Sequence, residues 1–216
     1  ERKADSVLAE AENMAVKPVI TQLDCQDIPG TNCYCDSLAE EEIGKRIAPF
    51  GPEGIHFLDS GNYHYLTKLW LELVKVPFEL LVFDHHTDMQ RPAFGGILSC
   101  GGWIREALET NENLKHVILV GPPQAAMEET EKELSKDGAE LLEKVTWISE
   151  EEFLQNVEKP DGTQKLCGQC NVTGIEIDEK ERLPLYISID KDVLPESEGK
   201  SNWDQGNVAL GQVLHF

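Results

Sequence analysis

Ten residues, Leu80-Leu81-Val82-Phe83-Asp84-His85-His86-Thr87-Asp88-Met89, constrain this chain more than any others. Four apolar residues in a row, bounded by polar ones, read as a strand buried on both faces. The strand runs into Asp84, His86 and Asp88, spaced i, i+2, i+4, so that in extended chain all three side chains leave one face. Straight, they would span roughly 13 Å at about 3.3 Å per residue. That is too long for one ion, so the chain must curl after the strand or serve two ions. Acidic and imidazole groups at the carboxyl end of a buried strand sit where open α/β sheets keep their ligands.

A second stretch repeats the design. Leu185-Tyr186-Ile187-Ser188-Ile189-Asp190-Lys191-Asp192 is an apolar strand followed by carboxylates at i and i+2. A third candidate, His64, follows the apolar run Ile55 to Leu58 and opens a helix whose buried stripe is Leu66, Leu69, Trp70, Leu73 and Val74. It lies off that stripe, which argues against an ordinary core histidine. Three strand ends, each offering metal-type ligands, predict a metal site. Asp84, Asp88, Asp190 and Asp192 supply four negative charges, and His64 and His86 bind as neutral imidazoles, a set that two divalent cations and a hydroxide would balance. Without cations, four packed carboxylates could not all stay ionised. Oxygen-rich sites with some imidazole suit manganese or magnesium better than zinc.

The chain of 216 residues reads as one domain, 1–216, able to bury about 70% of its unfolded surface. Its 19 basic residues face 40 acidic ones, a net charge of −21, which disfavours nucleic acid and anionic membrane as partners. It favours a cationic or neutral small-molecule substrate. No apolar run approaches a membrane span. The polar N-terminus, without an initiator Met, carries no secretory signal, and the C-terminus ends inside an expected helix, so the chain reads as incomplete at both termini. Six cysteines in such a chain read as reduced thiols in a cytoplasmic protein. Cys167-Gly168-Gln169-Cys170 has the spacing of a zinc knuckle or redox pair, which Cys33 and Cys35 could complete as a four-sulfur site, although plain thiols are the simpler reading. The sequence leaves a homo-oligomer open.

Strands are expected at 18–23, 54–58, 80–83, 116–120, 145–148, 172–177 and 185–189, the last two as a hairpin. Helices are expected at 4–15, 37–48, 62–75, from Trp103 through Leu108, 125–135 and 150–156, the last capped by Ser149. A long glycine-rich loop separates Gln90 from Gly102, and 159–162 reads as a turn. Alternating strands and helices predict an α/β fold, a three-layer α/β/α sandwich with a mostly parallel central sheet.

The motif Asp84-x-His86-x-Asp88, then Ser188-x-Asp190-x-Asp192, with an earlier Gly61-x-x-His64, resembles the arginase/agmatinase (ureohydrolase) superfamily, whose fold the histone deacetylases share. The likeness covers residues 54–212 and implies two manganese ions at the strand ends. Asp84 and Asp190 would bridge them, His64 and Asp88 would complete one, and His86 and Asp192 the other. A hydroxide between the ions would attack the substrate carbon, with Asp88 and Asp190 as catalytic carboxylates. The resemblance also hangs the loop 201–206 over the metals, giving Trp203 and Asp204 to substrate binding.

The chain departs from arginases in the loop after the first motif, where it has Ser99-Cys100-Gly101-Gly102 and no proton-shuttling histidine. Asp88 or Cys100 would have to serve instead. The expected activity is therefore hydrolysis of a linear C–N bond in an amidine, guanidine or amide, with arginine a poor substrate. One rival is a manganese phosphodiesterase of the DHH type, with Asp24 and Asp27 as its preceding acidic pair. The other is a non-catalytic metal-binding relative.

Overall fold

The structure, a computed structural model, describes residues 19–92, 95–157 and 182–216. A small antiparallel pair joins β1 (Tyr34–Cys35) to β3 (Leu98–Ser99). The main sheet has the order β5 (Val145–Ile148), β4 (Leu114–Val120), β2 (Phe78–Phe83) and β6 (Leu185–Ile189), and every pairing in it is parallel. The helices are α1 (Ser37–Ile47), α2 (Leu66–Leu71), α3 (Trp103–Thr110), α4 (Gln124–Asp137), α5 (Ala139–Leu142), α6 (Glu150–Val157) and α7 (Leu210–Val213).

Parallel strands require crossovers, and the crossover helices cover both faces of the sheet. Leu80 and Val82 of β2, with Val117 and Leu119 of β4, point to one face, against Ile43 of α1, Leu69 of α2, Ile104 and Ala107 of α3, and Leu134 of α4. Leu81, Phe83, Ile118 and Val120 point to the other, against Phe153 of α6, Val213 of α7, and Val193 and Val208. This is the expected three-layer α/β sandwich. No helix of the described residues is long and apolar enough to cross a membrane.

Local chemistry explains the helix boundaries. Asp36 caps α1, its Oδ1 accepting from the Leu38 and Ala39 amides at 3.0 and 2.9 Å. Ser149 Oγ accepts from the Glu152 amide at the start of α6. Lys68, buried in α2, lies 2.6, 2.9 and 3.3 Å from carboxylate oxygens of Glu40, Glu72 and Glu106, pinning α1 and α3 to it.

Three expectations need correction. Residues 19–23 and 54–58 form no strand, and Val19, Ile20, Ile55 and Phe57 are largely exposed. A short apolar run becomes a strand only where a neighbouring edge pairs with it, and none of the described residues offers these two an edge. The 62–75 helix is shorter: a 3-10 turn at Gly61–Tyr63 leads into α2, and the chain leaves the helix through tight turns, with Leu73 and Val74 donating to Trp70 and Leu71. β6 pairs in parallel with β2, and the first arm of the expected hairpin, 172–177, lies outside the described residues. So do the 4–15 helix, the 159–162 turn, Cys167 and Cys170.

Gly121 ends β4 with φ +114°, and a Cβ there would stand 2.7 Å from the Asp84 carbonyl oxygen and 2.6 Å from Val193 Cγ2. Gly121→Ala should destabilise the chain by about 2–4 kcal/mol, through left-handed strain and contact with unyielding backbone. Urea denaturation measures this, and an unchanged midpoint would contradict the packing described.

Candidate metal centre

β2 and β6 end side by side, with Phe83 opposite Ile189, and each continues into its motif. The Asp84 amide donates to Val120 O at 3.0 Å and the Asp190 amide to Phe83 O at 2.8 Å, so both aspartates are anchored by the ends of neighbouring strands. After Asp84 the chain curls. The His86 amide turns back to Asp84 Oδ1 at 2.7 Å, and Asp88 takes a left-handed φ of +48°. Positive φ in a non-glycine residue marks backbone held by its surroundings. The curl brings Asp84, His86 and Asp88 together where an extended chain would hold them apart.

Two ligand groups result. His64, Asp84 and Asp88 each offer an atom within 4.8 Å of the others, and so do Asp84, His86 and Asp192. Asp84 belongs to both. His64 Nδ1 lies 3.0 Å from Asp84 Oδ2, 3.2 Å from Asp88 Oδ2 and 3.4 Å from Asp190 Oδ2. His86 Nδ1 lies 3.1 Å from Asp192 Oδ2 and 3.4 Å from Asp84 Oδ1. Asp190 thus stands beside the first group, and its Oδ1 accepts from the Asp192 amide at 3.1 Å. All six sequence-predicted ligands meet in one place.

The electrostatics fit divalent cations. Asp84, Asp88, Asp190, Asp192 and His64 are all buried, while His86 is partly exposed. His64 Nδ1 and Asp84 Oδ2 are buried atoms that lack a hydrogen-bond partner although they face each other. His64 Nε2 meets Ser188 Oγ at 2.9 Å. In the tautomer that donates from Nε2 to Ser188, His64 would aim its Nδ1 lone pair at three carboxylates, an arrangement that a cation between them would satisfy. Metal-free, the site can only borrow protons. Burial, then the charge of Asp84, pushes Asp88 up to about 7, and burial raises Asp190 to about 6. Burial also raises Asp192. Hydrogen bonds from the His86 ring to Asp192 and Asp84 lift it to about 10. Burial would lower His64, but Asp84 and Asp88 outweigh it and hold it well above its usual value. Burial would likewise raise Asp84, yet the two imidazoles hold it below the usual carboxylate range.

Several supporting contacts were not legible in the sequence. Trp103 Nε1 donates to Asp88 Oδ2 at 2.6 Å from the first turn of α3, and its buried indole lies against the His64 ring. Asp192 Oδ1 accepts from the His85 amide. His85 packs toward Glu150, whose carboxylate binds the Asn207 amide at 2.7 Å and so ties the loop after Asp192 to α6. Gly206 fits there because a Cβ would stand 2.7 Å from Val193 O and 2.5 Å from Glu150 Oε2.

The residues expected to bind substrate are placed differently from one another. The Trp203 ring lies 5.7 Å from the His86 ring, and its Nε1 donates to Asn62 Oδ1 at 2.9 Å, so it stands at the exposed side of the centre. Asp204 is exposed and, among the described residues, makes no ion pair or hydrogen bond. Cys100 is buried next to Asp88 rather than at the open side; burial pushes its thiol up to about 12. Cys33 and Cys35 do not join a ligand group among the described residues. Asp24 and Asp27, the acidic pair of the phosphodiesterase alternative, lie outside both ligand groups, and Asp27 is held by both terminal nitrogens of Arg46 at 2.7 Å.

No protein-family model matches the chain. It is 33% identical over 162 residues to an uncharacterized protein of Thermotoga maritima, an alignment covering 75% of this chain and 50% of that protein. The chain thus spans about half the length of that curated relative. Among solved structures it resembles the formimidoylglutamase of Bacillus subtilis, with a TM-score of 0.57 and 17% identity, over 90% of this chain and 56% of that one. The likeness is one of fold alone.

Two predictions follow from the geometry. Trp103→Phe should lower divalent-cation affinity by about 10–100-fold, because it frees the Asp88 oxygen that the indole orients; titration calorimetry reads it, and unchanged affinity would show that the bond is incidental. Metal affinity should also rise with pH between 5 and 8. Protons held by Asp190 (about 6) and Asp88 (about 7) compete with the cation below these values and are gone above them. Binding measured in buffers of different ionisation enthalpy should reveal proton release, and pH-independent affinity without it would contradict the ligand assignment.

Proposed function

We propose that this chain carries the binuclear manganese centre of a hydrolase that cleaves a linear carbon–nitrogen bond in an amidine, guanidine or amide. The observation that carries this reading is that one buried carboxylate, Asp84, serves two ligand groups. His64 and Asp88 would hold one ion and His86 and Asp192 the other, with Asp84 and Asp190 shared between them. When bound, such ions supply Lewis acidity and an acidified water at neutral pH. Oxygen donors outnumber nitrogens and include no thiolate, which favours manganese over zinc.

The chain's own residues then position and move protons. Ser188 and Trp103 fix His64 and Asp88 through hydrogen bonds at 2.9 and 2.6 Å. Asp88, which would touch one ion only, is the carboxylate better placed to pass a proton to a leaving amine, and Asp190, whose Oδ2 borders Gly61 on the side of Trp203, is the other candidate. Acid–base help of this kind is worth about 10² to 10⁴ in rate. Trp203 forms the apolar wall of the substrate pocket and exposed Asp204 its polar rim. Cys100, buried, would touch substrate only through Asp88. The net charge of −21 favours a cationic or neutral small molecule over an anion. Reduced cysteines and a cytoplasmic location belong to the same reading. The structural neighbour is named for a formimidoyl substrate, a linear C–N group of this class. The phosphodiesterase alternative fits less well, because Asp27 is engaged by Arg46, Asp192 groups with Asp84 and His86, and Asp190 lies 3.4 Å from His64.

The test loads the protein with manganese and offers arginine, agmatine, an acetylated polyamine and formimidoylglutamate, measuring urea and free amine. Release of amine from a neutral or cationic substrate, with arginine turned over poorly, is expected. Asp190→Ala should lose most of the metal and the turnover together. No hydrolysis of any arm by the fully loaded protein would leave a metal-binding protein without catalysis, and rapid urea release from arginine would show the missing loop histidine to be dispensable.

A further inference from the structure

Outside the metal centre, a second reactive arrangement lies in the small sheet. β1 and β3 pair with Tyr34 opposite Ser99 and Cys35 opposite Leu98. One step further along the same register, Cys33 stands opposite Cys100, and the Cys100 amide donates to Cys33 O at 2.9 Å. Opposed residues in an antiparallel ladder have Cα atoms roughly 4.5–5.5 Å apart. A disulfide accepts about 4.4–6.8 Å. Both thiols are free; Cys100 is buried and Cys33 is partly exposed. Cys33 also has a left-handed φ of +62°, which sets it apart from the extended residues beside it.

We infer that Cys33 and Cys100 form an oxidisable thiol pair, a modification site that a low-molecular-weight disulfide converts into a cross-strand disulfide. The Cys33 thiolate attacks one sulfur of the small disulfide and expels a first small thiolate. The Cys100 thiolate then attacks Cys33 Sγ in the mixed disulfide and expels the second. Two protein thiols are oxidised, one small disulfide is reduced to two small thiols, and the protein loses two hydrogen atoms. The accessible thiol reacts first, as access demands. The buried one then attacks from a fixed position opposite its target.

The bond would lock two segments that flank the metal centre. On the Cys33 side, Thr31 O accepts from the Tyr65 hydroxyl at 2.6 Å and Asn32 Oδ1 from Asn62 Nδ2 at 2.9 Å, and Asn62 holds Trp203. On the Cys100 side, the Gly101 carbonyl accepts from the Gln90 amide, and Trp103 reaches Asp88. A cross-link between them stiffens the wall that carries Trp103 by restricting the unfolded chain and the opening of the small sheet.

Incubation of the full chain with oxidised glutathione, followed by proteolysis and mass spectrometry without reductant, tests this separately from any catalytic activity. A peptide joining Cys33 to Cys100, lighter by two hydrogens than its reduced parts, is expected, together with a higher urea midpoint than the reduced protein. Cys33→Ser and Cys100→Ser should each abolish both changes, and Cys25→Ser neither. The partly exposed Cys33 keeps the test decisive if the buried Cys100 variant fails to fold. Glutathione retained on Cys33, a link confined to other cysteines, or a Cys33–Cys100 link that leaves the midpoint unmoved would overturn the inference.

Discussion

Everything at the top of this sheet depends on burying four carboxylates against two imidazoles. Asp84, Asp88 and Asp192, with Asp190 beside them at His64 and Asp192, lie out of water, and their mutual repulsion has to be offset by protons or cations. Asp84 is the pivot. Strand β4 holds its backbone, the two histidines lie on either side of its carboxylate, and it belongs to both ligand groups. Its depressed pKa and the raised values of Asp88 and Asp190 are two sides of one arrangement. The carboxylate nearest the imidazoles keeps its charge, and its neighbours take up protons.

The fold serves that arrangement through close backbone approach. Gly121 allows the end of β4 to lie against the Asp84 carbonyl, and Gly206 lets the loop after Asp192 come in under Glu150 and His85. A side chain at either place would push one aspartate pair away from the other. The left-handed turn at Asp88 plays the matching part within the first motif, and the Trp103 indole fixes its carboxylate from α3. Strain and buried charge of this kind persist only where the surrounding packing over-determines them.

Much of this was legible in the sequence because it depends on side-chain type and a period of two. Apolar runs ending in Asp-x-His-x-Asp and Asp-x-Asp named the adjacent strands β2 and β6, and their chemistry named the candidate ligands. The span of the first motif also implied either a curl or two ions, and the structure has the curl together with two groups. Contacts that rest on long-range approach left no such trace. Nothing local to Trp103, Ser188 or Asn62 announces that they orient Asp88, His64 and Trp203. The two-residue strands β1 and β3 are too short to show a period, so the facing of Cys33 and Cys100 was hidden as well. The apolar runs 19–23 and 54–58 misled for the opposite reason: their composition suits a strand, but among the described residues no edge receives them.

The central claim is that Asp84 draws two ions into one centre. Electron paramagnetic resonance of the protein loaded with manganese tests it directly. A shared carboxylate predicts the hyperfine pattern of a spin-coupled manganese pair, replaced in Asp84→Asn by that of isolated ions or by no bound manganese. A spectrum of magnetically isolated ions in the unaltered protein at full loading would contradict the account.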